Sequence, residues 1–190
     1  MPDVCDPSDP PPVIVRTDRL TIRGWTLADA PAAFAIFGDP EVTRYLGNPT
    51  PKRDVADQEV TLRAVIGQAA KIHPLGFWAL ERRLDGQVIG SALLYPLADT
   101  EDVEIGWELR RDVWGQGYAT EAARALTELA FGPLGLARLY ALIEEPNTRS
   151  RAVARRLQMT FVDRTSQFFG REFMRFVLEG SVLEQDRIVD

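Results

Sequence analysis

From residue 20 onward the chain alternates between two hydrophobic rhythms. Leu20-Thr21-Ile22-Arg23 switches between apolar and polar with period two, the mark of a short strand. Thr26 and Asp29 stand three apart just ahead of an apolar run. That is a capping-box start for a helix reaching Phe37, with Gly38 as its stop. Over residues 54–72, Val55, Leu62, Val65, Ile66 and Ala69 recur at helical spacing. Strand character returns at 77–82, 87–97 and 103–109, and Asp85-Gly86 between the first two is a hairpin signal. Residues 119–131 form an amphipathic helix ended by Gly132, Pro133 and Gly135. A strand at 138–143, a helix at 148–157 and a closing hairpin of 159–167 and 172–178 follow. These rhythms predict one α/β (α+β) domain of about seven strands with flanking helices.

Residues 39–53 interrupt the pattern with three prolines, Gly47 and Asn48, as a solvated segment able to line a site does. Residues 1–12 hold five prolines and three aspartates and read as a disordered tail. The folded domain is expected over 13–179, with a C-terminal tail at 180–190.

Composition narrows the chemistry. Hydrophobic residues make up 45% of the 190, enough for a real core, and the net charge of −6 argues against nucleic acid as the main partner. Cys5 is the one cysteine and His73 the one histidine. A disulfide framework and a zinc site of cysteines or histidines are therefore excluded, and no metal is expected. No apolar run has membrane-spanning length and no signal-like segment precedes the domain, so a cytoplasmic location without membrane contact is expected.

The chemistry concentrates between residues 103 and 123. A strand ends near Leu109, a turn carries Gly115 and Gly117, and a helix opens around Ala119. Two glycines let the backbone turn tightly and approach a ligand, and the amides from Gly115 to Ala119 would converge at a helix N-terminus suited to a pyrophosphate. A Walker loop needs a Gly-Lys pair, which the chain lacks, and a dinucleotide fingerprint needs glycine where Thr120 stands. A plain strand-to-helix turn is the remaining reading of the two glycines alone.

The stretch Trp114-Gly115-Gln116-Gly117-Tyr118-Ala119-Thr120-Glu121-Ala122 resembles the acyl-CoA pyrophosphate loop of the GNAT acetyltransferases, and most of all their RimJ/RimL-like branch. Arg16-Thr17-Asp18-Arg19-Leu20-Thr21-Ile22-Arg23, Val88-Ile89-Gly90-Ser91, Val103-Glu104-Ile105-Gly106-Trp107 and Pro146-Asn147-Thr148-Arg149-Ser150 match the same branch in order. The resemblance covers about residues 13 to 178. Trp114 replaces the usual Gln or Arg, and Gln158 stands where the family has glycine.

The resemblance implies a mixed, mostly antiparallel sheet splayed between the fourth and fifth of the seven strands. It also implies that acetyl-CoA contacts Leu109, Trp114, Gly115, Gln116, Gly117, Tyr118, Ala119, Thr120, Asn147, Ser150 and Arg156. Amides of the 103–109 strand would polarise the thioester carbonyl for direct attack by an amine, either a protein N-terminus or a small molecule. Such an amine must lose a proton, and Glu104 and Glu108 share one strand face four residues apart. The resemblance favours Glu104 as base. The tyrosine that often protonates the thiolate is missing from residues 148–157, which leaves Ser150 as the donor or, equally, as a helix cap. A non-catalytic acyl-CoA sensor is the alternative function, and a homodimer stays open.

Overall fold

A computed structural model describes residues 11–180. The sheet has eight strands: β1 (Val13–Arg16), β2 (Leu20–Arg23), β3 (Gly76–Arg82), β4 (Val88–Pro96), β5 (Val103–Leu109), β6 (Arg138–Ile143), β7 (Thr160–Thr165) and β8 (Phe173–Glu179). Their spatial order is β1-β2-β3-β4-β5-β6-β8-β7, and every pairing is antiparallel except β5 with β6. The helices are α1 (Ala30–Phe37), a single turn α2 (Pro40–Thr43), α3 (Val55–Ile72), α4 (Tyr118–Phe131) and α5 (Thr148–Arg156).

The strand beyond the seven expected is β1. Its Val-Ile-Val-Arg run lacks polar alternation and follows prolines, which hid it, yet it pairs with β2 along Val15↔Ile22 and Arg16↔Thr21. Pro11 and Pro12, assigned to the tail, border the fold: the Pro12 carbonyl accepts the Gly24 N–H at 2.9 Å. The rest of the expected N-terminal tail, with Cys5, and residues 181–190 lie outside the described residues.

Alternation along the strands divides the core into two layers. Leu20, Ile22, Leu80, Leu94, Ile105 and Leu139 are fully buried on the face covered by α4, where Ala122, Ala123 and Leu126 meet them. On the opposite face Trp25, Ala33, Ile36, Leu62, Ala79 and Val88 pack beneath α1 and α3. Arg23 is buried on this second side. It is satisfied by Asp29 at 2.8 and 2.9 Å and by Glu81 at 2.7 Å, as a charge removed from water requires. The same Asp29 carboxylate accepts the N–H of Thr26 at 2.8 Å, so the expected capping motif is present, closing a 3₁₀ turn that runs into α1.

The splay falls where the fold needs a gap. β5 and β6 meet in parallel at Glu104↔Tyr140 and then diverge, whereas β4 and β5 stay in register from Pro96↔Val103 to Gly90↔Leu109. Beyond Glu104 the β5 backbone has no strand partner on its β6 side, which leaves hydrogen-bonding groups free for a ligand.

Candidate active site

A groove of about 1300 Å³ fills the splay and continues onto both faces of the sheet. One end is built by the turn after β5. Gly115 and Gly117 adopt left-handed φ angles of 77° and 86°, which side chains disfavour, and a Cβ on Gly115 would face open space. Gly117 caps α4 without a side chain, and the first helical bond at this end is Glu121 N–H to the Gly117 carbonyl at 3.0 Å. The N–H groups of Tyr118, Ala119 and Thr120 are thereby left for an anion, with the helix dipole behind them.

Other side chains hold this turn in shape. The Trp114 indole N–H donates to the Leu109 carbonyl at 2.8 Å, folding the turn back onto the strand end. Arg149 of α5 lies over the same ring at 4.2 Å. Trp114 therefore ties the turn to α5, a role its residue type alone does not reveal. Glu121, in the first turn of α4, accepts from the Thr17 hydroxyl at 2.6 Å, the Arg19 N–H at 2.9 Å and Arg19 Nε at 2.6 Å. Burial pushes its carboxyl up, but these donors outweigh burial and hold it below the usual range. Arg19 also donates to the Gln116 carbonyl at 3.0 Å. Arg124, Arg149 and Arg156 line the groove, and none is ion-paired among the described residues. Backbone donors and unpaired guanidinium groups at one end suit the phosphates of coenzyme A.

The expected contact residues Leu109, Trp114, Gly115, Gly117, Tyr118, Ala119, Thr120, Asn147, Ser150 and Arg156 all line the groove. Gln116 does not: its side chain turns back to donate to the Asp112 carbonyl at 3.2 Å, while its own carbonyl accepts from Arg19. Asn147 also serves locally, accepting the Ser150 N–H at 3.1 Å as the N-cap of α5. That leaves the Ser150 hydroxyl without a hydrogen bond to any described residue, so the capping role belongs to Asn147.

Across the sheet, Glu104, Gly106 and Glu108 point to the face shared with α1, as alternation dictates. Leu93, opposite Gly106, leans into the room its missing side chain leaves; a Cβ there would stand 3.0–3.2 Å from the leucine carbons. The two carboxylates flank this leucine. Enclosure by protein raises Glu104 to about 8, with the Glu108 charge adding to it and the Leu142 N–H pulling the other way. Enclosure likewise raises Glu108 to about 7, opposed by a hydrogen bond from Ser91. Ser91 is fully buried on β4, directly across from Glu108. Cross-strand register, which sequence spacing does not carry, brings Glu108 and Ser91 together.

Among the described residues no cluster of histidine, cysteine or carboxylate side chains could hold a metal ion, and no helix is long and apolar enough to cross a membrane.

Comparison with known proteins agrees with this geometry. Residues 19–160 match the family model described as an acetyltransferase (GNAT) domain. The uncharacterized N-acetyltransferase p20 of Bacillus licheniformis is 35% identical over 136 residues, covering 70% of this chain and 75% of that protein. The acetyltransferase of Agrobacterium tumefaciens superposes with a TM-score of 0.73 at 26% identity, over 90% of this chain and 95% of that one. RimL, a ribosomal L7/L12 alpha-N-protein acetyltransferase, shares the fold with a TM-score of 0.76 at 16% identity, over 90% and 96% of the two chains. The chain belongs to the GNAT acetyltransferases, enzymes that draw an acetyl group from acetyl-CoA.

Proposed function

We propose that the protein acetylates a primary amine by direct attack within a ternary complex, with Glu104 as proton acceptor and Ser150 as proton donor. The observation that carries this reading is the placement of two carboxylates, without a cationic partner among the described residues, on one face of β5 where it splays from β6.

An amine arrives as an ammonium ion and must shed a proton. At pH 7 a lysine-like amine is neutral in only about one molecule in 10³. A carboxylate at its ordinary pKa is a weak acceptor for that proton, and one raised to about 8 is much better matched. Ser91 favours ionisation of Glu108, and the resulting charge raises Glu104 further. The two act as a coupled pair with Glu104 as the stronger base.

In the transfer itself, the amine nitrogen forms a bond to the thioester carbonyl carbon, and the free β5 amides stabilise the charge gathering on the carbonyl oxygen. The carbon–sulfur bond then breaks. The first amine proton goes to Glu104, and the second ends on the coenzyme A sulfur by way of the Ser150 hydroxyl. The turn at Gly115–Gly117 fixes the donor end, so that the reacting atoms meet at the splay.

A free-thiol assay with acetyl-CoA and a broad panel of amines tests the proposal. Amine-dependent thiol release, lowered in Ser150→Ala without loss of coenzyme A binding, is the expected result. Tight coenzyme A binding with no turnover on any amine would favour the sensor reading instead.

A further inference from the structure

The acceptor half of the groove has features that acetyl transfer alone does not demand. Its walls are apolar and largely aromatic. Phe77, in the same cross-strand row as Leu93 and Gly106, lies tilted against Phe37 at 6.1 Å between ring centroids, and Val42 and Tyr45 continue that wall.

The groove is also bridged. Residues 44–48 belong to the half of the fold that carries β1–β5, and residues 166–172 connect β7 to β8 in the other half. Arg171 joins them across the splay, donating to the Leu46 carbonyl at 2.8 Å and to the Arg44 carbonyl at 3.2 Å while pairing with Glu144. Phe169 holds a left-handed φ of 55°, and its ring stands where a Cβ on Gly47 would fall. A bulky residue in that conformation is strained, which marks a position set by its surroundings. Tyr45, Leu46, Gly47 and Phe169 all face the groove.

Two consequences follow. The strap carbonyls of Arg44 and Leu46, which could have paired with the N–H groups of an extended peptide, are already occupied by Arg171. Glu104 and Glu108, meanwhile, have no cationic partner among the described residues, so the floor is complementary to a positive charge.

We infer that the acceptor is a compact primary amine, cationic in solution and carried on an apolar or aromatic body, and that the Arg171 strap excludes the end of a peptide chain. The inference rests on the amine-acetylation reading above and narrows it. An apolar body fills the aromatic wall, its ammonium group meets the two carboxylates, and nothing behind it needs backbone hydrogen bonds.

The test compares kcat/KM for 2-phenylethylamine and hexylamine with that for tetrapeptides led by alanine, serine or methionine, at saturating acetyl-CoA. The small amines should lead by about tenfold or more. Arg171→Ala and Phe169→Ala, each checked for a wild-type melting transition, should narrow the gap by raising peptide rates and raising KM for the small amines. Peptides that match or beat the small amines in the wild-type protein would overturn the inference and leave amine acetylation standing. A gap unchanged in both folded variants would overturn the role of the strap. If no amine of either kind is acetylated while coenzyme A still binds, the underlying reading falls and the inference with it.

Discussion

Ser91 and Glu108 face each other across β4 and β5, and the buried serine hydroxyl donates its hydrogen bond to the carboxylate. Groove enclosure favours the neutral acid, whereas this bond favours the ion. Ser91→Ala therefore lets Glu108 rise above its value of about 7. With Glu108 ionised less often, its charge raises Glu104 less, so the acid limb of the kcat/KM profile should move to lower pH, with the largest change near pH 7. Ser91→Thr, which keeps the hydroxyl, should restore the wild-type limb. An unchanged pH profile in a folded Ser91→Ala protein would show that Glu108 does not influence the base.

Raised carboxyl groups also leave a signature in stability. Glu104 and Glu108 bind protons more tightly when folded than when unfolded. The folded state therefore holds more protons between the ordinary glutamate pKa and about 8, and stability falls as pH rises through that window. Chemical denaturation should give a lower unfolding free energy at pH 8.5 than at pH 5.5. Glu104→Gln and Glu108→Gln should flatten that slope and be relatively stabilised at the alkaline end, at a cost in activity. Slopes unchanged in both variants would contradict the raised values.

Glu121 binds the β1–β2 turn to the start of α4 through Thr17 and Arg19. Its removal leaves the half-buried Thr17 hydroxyl and the Arg19 N–H and Nε without their acceptor, and loosens the Arg19 side chain that also holds the Gln116 carbonyl. Glu121→Ala should lose roughly 1–3 kcal/mol of stability. It should also raise KM for acetyl-CoA more than it lowers kcat, because it loosens the phosphate turn without touching the carboxylates.

Gln158 occupies a left-handed turn after α5, with φ of 62°. Glycine takes that conformation without penalty, so Gln158→Gly should raise stability by about 1 kcal/mol and leave turnover unchanged. Differential scanning calorimetry beside the thiol assay would check both halves of this expectation.

What the chain discloses in one dimension follows from how local each feature is. Strands β2–β8 and the turn at Gly115–Gly117 rest on period-two alternation, hairpin residues and the demand for glycine at positive φ, all of them short-range. Helix α2, a single turn, carries its local signal in its cap: Asp39 accepts the Glu41 N–H at 2.9 Å, and Pro40 follows at the first helical position, where proline is favoured. Helix α3 shows the limit of periodicity. Its spacing is helical, yet Leu62 is fully buried while Val60 is 68% exposed, since spacing does not say how much of a face a neighbour covers. The Ser91–Glu108 pair depends on cross-strand register, and the Arg171 strap joins residues more than a hundred positions apart. Neither has a signature in sequence spacing.

The account turns on Glu104 as the group that takes the amine proton. The most direct measurement is kcat/KM for the best amine in Glu104→Gln at pH 8, alongside coenzyme A affinity by calorimetry on the same preparation. A fall of about 10²-fold or more with coenzyme A affinity held within about twofold is the predicted result. Activity within about twofold of the wild type, in a protein that still binds coenzyme A, would contradict it.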